Sequence, residues 1–299
     1  MRVANRLIFA AGIATCAVAL FAASPAWAQK AFPTAQAAAD AFVEAFATND
    51  DAAKREMLGA DYRRFVPADV DAEDVTAFLA MSAKRRAIVN DTADRAHLAV
   101  GAEGWTLPLP IVKSADGWRF DVKAGAQEMQ IRRIGRNELA AMQALLAYFD
   151  AQKEYASADR DGDGIIAYAQ RFASTAGKHD GLIWPDDPIA SPLGPLYGNE
   201  TRDGVYHGYR FRILKAQGAG APGGARDYVV NGRMTRGFAA IAWPAKYGET
   251  GVMTFMVSHD GIVYEKNLGA GTDAAARAVT RYNPDGWHAV PATALAVKR

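Results

Sequence analysis

Cysteine is almost absent: Cys16 is the single one in 299 residues, and it lies in an N-terminal segment that reads as removable. A mature chain without it cannot use disulfides, thiolate metal ligands or a cysteine nucleophile, so its stability must come from burial. An excess of one charge is also missing. The 34 Lys and Arg against 33 Asp and Glu give no electrostatic case for nucleic acid or an anionic membrane surface. No GxxxxGK run, HExxH pair or GxSxG elbow occurs, which removes the common phosphate-loop and hydrolase signatures. GAGAPG at Gly218 to Gly223 matches a dinucleotide fingerprint by letters. A strand follows it where that chemistry needs a helix N-terminus, so it reads as a flexible loop.

Acidic residues are missing from the first 28 positions. Arg2 and Arg6 supply a positive start, Leu7 to Phe21 an uncharged apolar run, and Ala26, Trp27 and Ala28 a small-x-small site. The pattern is that of an export signal cleaved after Ala28, giving a periplasmic or secreted protein with no membrane span after cleavage. Arg2 and Arg6 leave with it, so the formal charge moves from +1 to −1. The remaining chain is long enough for two ordinary domains.

The periodicity predicts an α+β fold: a small helix-plus-sheet domain at 29–124, then a long helix packed on an antiparallel meander sheet at 125–299. Thr34 caps a helix with Phe42 and Phe46 one turn apart, and a second short helix from Asn49 to Asp51 ends at Gly59. A charged segment, Ala72 to Asn90, reads as helical. Strands follow at His97 to Val100, Thr106 to Val112 and Trp118 to Val122. Gly125 to Ala158 reads as one helix with Met129, Ile134, Leu139, Met142, Leu145, Leu146, Phe149 and Tyr155 mostly on one face. Arg132, Arg133, Arg136 and Glu138 fall on its solvated flanks. After an irregular stretch, Ser174 to Asp203, come strands at Val205 to Lys215, Arg226 to Val230, Phe238 to Trp243, Gly251 to Ser258 and Ile262 to Asn267. Asn231-Gly232 and Asp260-Gly261 read as hairpin turns.

One motif stands out. DRDGDGIIAYAQ, Asp159 to Gln170, sets carboxylates at alternate positions before a glycine, the spacing by which a short loop wraps calcium. Asp159, Asp161 and Asp163 are the side-chain ligands, Ile165 gives its carbonyl, and Ile166 is the apolar anchor. Gln170 stands where a bidentate glutamate is wanted, which weakens the site. A single loop after a long helix predicts a structural clip, not a sensor. Among the five histidines, His179 beside Asp180 in the long loop, with His207 on the following strand, is the candidate for acid-base work. Trp184, Tyr197, Tyr206, Tyr209 and Trp243 either line a groove for an extended ligand or pack the core.

The strings IRRIGRNE, DAQKEYA, DGDG, SPLGPL, YHGYRFRILKAQG, YVVNGRM, YGETGVMTF and GIVYEKNLG together resemble an exported bacterial family known as domain of unknown function 2950, from about Phe32 to Trp287. The resemblance implies an exported, periplasmic protein and carries no catalytic or binding residues. In order and spacing, Asn137 to Gly269 is similar to the soluble domain of type IV pilin-like proteins. The N-terminal part is similar to the nuclear transport factor 2-like cone. Fold does not fix function. The expectation is a non-catalytic protein that binds an envelope protein, glycan or peptide, with calcium as its only cofactor. The alternative is an envelope hydrolase built on the loop 174–203, with His179 and Asp180 at its centre.

Overall fold

The computed structural model describes residues 29–65, 70–160, 162–184, 191–194 and 204–295. The export segment, 1–28, lies outside them. The chain divides into two compact units, one ending at Gly125 and the other running from Ala126.

The first unit opens with helices α1 (Ala35–Ala47), α2 (Asp51–Leu58) and α3 (Ala72–Lys84). Thr34, Asp50 and Asp71 cap them, each accepting from first-turn amides. Strands β1 (Arg86–Thr92), β2 (Arg95–Val100), β3 (Trp105–Thr106), β4 (Ile111–Ser114) and β5 (Gly117–Phe120) form an antiparallel sheet in the order β1-β2-β4-β5, with β3 also on β2. Phe42, Phe78 and Phe120 meet in its core. The charged segment expected to be helical through Asn90 instead turns to strand after Lys84. Arg85 is extended, and Ile88 and Val89 pair with Leu98 and His97, where β-branched residues fit the pleat. The strand expected at Thr106 to Val112 is interrupted where Pro108 and Pro110 cannot donate to a ladder.

Helix α4, Val122–Tyr155, starts three residues earlier than the sequence suggested. The Asp121 side chain accepts from the Ala124 amide and sets the start. The second unit continues with β6 (Val205–Tyr206), β7 (Tyr209–Leu214), β8 (Ala216–Gln217), β9 (Arg226–Asp227), β10 (Val229–Val230), β11 (Arg233–Met234), β12 (Ala239–Pro244), β13 (Met253–Ser258) and β14 (Val263–Asn267). Helix α5 (Thr272–Ala278), β15 (His288–Ala289) and α6 (Ala292–Leu295) follow. The main sheet is an antiparallel meander in the order β15-β14-β13-β12-β7-β6, and β8–β9 and β10–β11 form separate two-stranded ladders. The stretch from Val205 to Lys215 is not one strand: His207 and Gly208 both take positive φ and turn β6 into β7.

The buried face of α4 is made of Ala141, Ala144, Leu145, Tyr148, Ala151, Gln152 and Tyr155. Alanines let the helix approach closely, so the larger residues predicted for that face, Leu145 and Tyr155 apart, are only partly covered. Burying Leu145 alone contributes roughly 2 kcal/mol. Tyr148 donates to the carbonyl of Ala239 on β12 and so ties helix to sheet. Glu138, expected on a solvated flank, accepts from the amides of Val252 and Met253 at 2.9 and 3.0 Å and anchors the start of β13.

Candidate functional site

Gln152 positions the site. It is fully buried, and its side-chain amide takes both backbone groups of Ala169: Nε2 donates to the carbonyl and Oε1 accepts from the N–H, each at 2.8 Å. Tyr168 meanwhile bridges to Met234 on β11. The end of the aspartate loop is thereby held between α4 and the β10–β11 hairpin, whose tip is the expected Asn231-Gly232 turn. On its other side, Leu182 and Ile183 donate to the carbonyl of Phe172, and Asp180 closes the turn between them. Its carboxylate accepts from the Thr175 amide at 2.7 Å and the Thr175 hydroxyl at 2.8 Å, with Arg171 3.4 Å away.

Between these segments lies a cleft of about 230 Å³. Arg160, Arg171, Lys215 and Arg233 line it, and Asp180 is the one acid among its described walls. Arg171 is occupied by Asp180, and Arg233 forms an ion pair with Asp163. Arg160 donates to the Tyr155 and Glu154 carbonyls at the end of α4, and its guanidinium lies 5.5 Å from the Trp184 ring centre. Lys215 reaches the side-chain oxygen of Gln170 at 3.2 Å. Neither Arg160 nor Lys215 meets a carboxylate among the described residues. Among the described residues the cleft therefore carries two positive charges without a carboxylate partner, one of them a guanidinium, a group suited to carboxylate or phosphate.

Ile165, Gln170 and Asp180 come together here, from two separate readings of the sequence. Of the expected calcium ligands, Asp159 and Asp163 have partners within the chain. Asp159 accepts from the amides of Gly162 and Gly164, both at 2.8 Å, and Asp163 accepts from Ile165 while pairing with Arg233. Gln170 faces Lys215 and donates to Gly232. Asp161 lies outside the described residues, and among those described no group of three or more acids or histidines is placed to hold a metal. Ile166, expected as an apolar anchor, is exposed at 53%. The buried residue of this segment is Ala169, three positions further on.

The three acid-base candidates do not converge. Burial would raise the Asp180 carboxyl, but the Thr175 hydrogen bonds and Arg171 outweigh it and hold it below the ordinary 3.8. A carboxylate so held is poorly suited to take and return protons near neutrality. The His179 ring is stacked on Trp184, centres 4.1 Å apart. His207 is exposed in the β6–β7 turn, edge-on to Tyr206. Lys215 of the cleft follows the far end of β7, about 17 Å away at roughly 3.4 Å per residue. Of the aromatic candidates, Trp184, Tyr209 and Trp243 are buried and Tyr206 is partly buried against Phe211, which is packing; Tyr197 lies outside the described residues.

One histidine that drew no attention in the sequence is electrostatically unusual. Arg226 approaches His259 Nε2 at 2.9 Å. Burial, and then the Arg226 charge, hold this imidazole below its ordinary 6.5, with Asp260 pulling the other way. The unfolded chain thus binds a proton near pH 6.5 more readily than the folded one, so this contribution is complete above that pH and falls away below it. Melting temperature is expected to drop between pH 8 and 5.5, and His259→Gln to flatten that drop. An equal slope in both proteins would contradict the assignment.

The fold and cleft define the molecule as an α+β protein of two units, the second carrying a basic recess beside a helix-and-meander core. Residues 29–290 match the family described as protein of unknown function (DUF2950), and the chain belongs to it. No curated protein and no solved structure matches the chain. No helix among the described residues is long and apolar enough to cross a membrane.

Proposed function

We propose that this is an exported binding protein whose basic cleft holds an acidic group of an envelope partner. The observation that carries the reading is the pair Arg160 and Lys215, two cations facing one recess with no carboxylate to neutralise them among the described residues. At about 230 Å³ the recess accepts one charged group, not a whole cofactor, since small-molecule sites run to about 300–1,000 Å³. A binding role is favoured over the hydrolytic alternative because Asp180 is tied to Thr175 and Arg171, His179 is stacked on Trp184, and His207 sits at the other end of β7.

In this reading the aspartate loop is a clip whose cation is the Arg233 guanidinium on Asp163, the charge that the calcium template assigns to metal. Nuclear magnetic resonance of the mature chain tests both points. Millimolar inorganic phosphate or acetate is expected to move amide resonances around residues 160, 170, 215 and 233, and calcium chloride to leave residues 159–170 unmoved. Calcium-driven shifts in the loop would restore the metal reading, and silence towards both anions would remove the cleft reading.

Export rests on Arg2, Arg6, the apolar run to Phe21 and the Ala26-Trp27-Ala28 site. Protein recovered from the periplasm of a Gram-negative host expressing the whole chain is expected to have the mass of a chain beginning at Gln29. Full-length protein confined to the cytoplasm would contradict it.

A further inference from the structure

The sheet of the first unit ends differently on its two sides. On β5 the chain closes the edge itself: Phe32 and Trp118 exchange both backbone hydrogen bonds, at 2.7 and 2.8 Å. On the opposite side β1 pairs with β2 alone. The Gly101 amide donates to the Arg85 carbonyl, which turns Arg85, Ala87 and Val89 towards β2. Leu98, opposite Ile88, gives its carbonyl to Leu107 on the far side of β2. Both bonds leave the amides and carbonyls of Arg86, Ile88 and Asn90 pointing outward. Among the described residues no other strand or turn is hydrogen-bonded to them, and β1 is exposed from Val89 to Thr92. Such an edge is a template for another strand, and Arg86–Thr92 contains neither the lysine nor the proline that commonly guards one. Its regular part ends at a bulge between Asn90 and Thr92.

We infer that β1 pairs with β1 of a second copy of this chain, antiparallel and centred on Ile88, so that two sheets become one. The strand's own side chains select that occupant. With Ile88 opposite itself, Arg86 stands opposite Asn90, Ala87 opposite Val89, and Arg85 opposite Asp91, each pair repeated by the two-fold axis. Val89, exposed at 43%, gains an apolar neighbour. Arg85 is exposed and has no acidic partner among the described residues. Asp91 meets His97 at 2.8 Å and Arg95 at 3.4 Å, both through Oδ2, which leaves Oδ1 for Arg85 of the second copy. Arg86 keeps its own carboxylate, Asp40, at 3.4 Å. Every other register separates Arg85 from Asp91, and the one centred on Arg86 sets two guanidinium groups face to face.

Sedimentation velocity on the mature chain, from micromolar to millimolar concentration, is expected to show a reversible equilibrium between monomer and dimer. Asn90→Pro removes one outward N–H from each copy and leaves the ladder to β2 whole. It should weaken the dimer by about tenfold or more, since the symmetry doubles the loss. Arg85→Glu, at an exposed position, should weaken it as well by setting an acid against each Asp91. The register has a separate readout, because residues 29–299 contain no cysteine. Under mild oxidation a mixture of Ala87→Cys and Val89→Cys chains should form a disulfide between the two variants. Neither variant alone should do so, because like positions then lie on a diagonal of about 7–8 Å, beyond the reach of the bond. A chain that stays monomeric at every concentration would overturn the inference and leave the edge to a strand of another protein. A dimer indifferent to both Asn90→Pro and Arg85→Glu would overturn it too, as would disulfides that form within one variant in preference to the mixture.

Discussion

Gly251→Ala is expected to cost the second unit about 3 kcal/mol, or to prevent its folding. A Cβ at this position would stand 2.1 Å from the Tyr209 hydroxyl oxygen and 2.6 Å from two of its ring carbons. The ring has nowhere to go. Tyr209 is fully buried against Phe255, and its hydroxyl donates to the carbonyl of Met253 at 2.9 Å. Relief requires either that the strand start at Met253 move, which would pull its amides from Glu138, or that the tyrosine leave its rotamer. Chemical denaturation measures the loss. Adding Tyr209→Phe should recover part of it, since the nearest atom of the clash is gone, although the ring carbons remain. A single variant as stable as the parent would mean that this strand entry is far more yielding than the packing around it implies.

The second large effect concerns binding. Reversing both charges, Arg160→Glu with Lys215→Glu, replaces two attractive terms by two repulsive ones within a recess that already contains Asp180. Affinity for an anion there should fall by about 100-fold or more, each tenfold being about 1.4 kcal/mol. Stability should change little by comparison, because neither side chain fills the apolar core. Their partners are backbone carbonyls at the end of α4 and the amide of Gln170.

Much of the fold was legible because it is written locally. Thr34, Asp50 and Gly59 mark helix ends by side-chain chemistry that acts within one turn, and Asn231-Gly232 forces a hairpin by its backbone preferences alone. The α+β order, with a long helix ahead of an antiparallel meander, followed from the change in hydrophobic period. His207-Gly208 makes the same kind of turn but was read as strand, since histidine carries no strong turn signal and Tyr209, Phe211 and Ile213 continue the alternation. The strand β1 was hidden by its charge: most of it is exposed, so composition resembled the helix before it.

The site was legible only in fragments. Ile165, Gln170 and Asp180 were singled out for two different chemistries, and the chain folds them into one recess whose character is set by other residues. Arg160, Arg171, Lys215 and Arg233 are separated by up to 73 positions, from 160 to 233, and no spacing rule joins them. Gln152 illustrates the same limit. On a helix rich in polar residues it looks like surface, yet it is buried and fixes Ala169, and with it the geometry of Gln170. The alternation of aspartates is a local signal for metal; the ion pair of Asp163 with a guanidinium from a hairpin 70 residues further on has no local signal at all.

The central claim, that the second unit presents an anion-binding recess, is tested most directly by titrating the mature protein and its Arg160→Glu, Lys215→Glu variant with inorganic phosphate under identical conditions. The parent should show saturable amide shifts around residues 160, 170, 215 and 233. The variant should show none while keeping a melting temperature within a few degrees of the parent. Equal shifts in the two proteins would contradict the account.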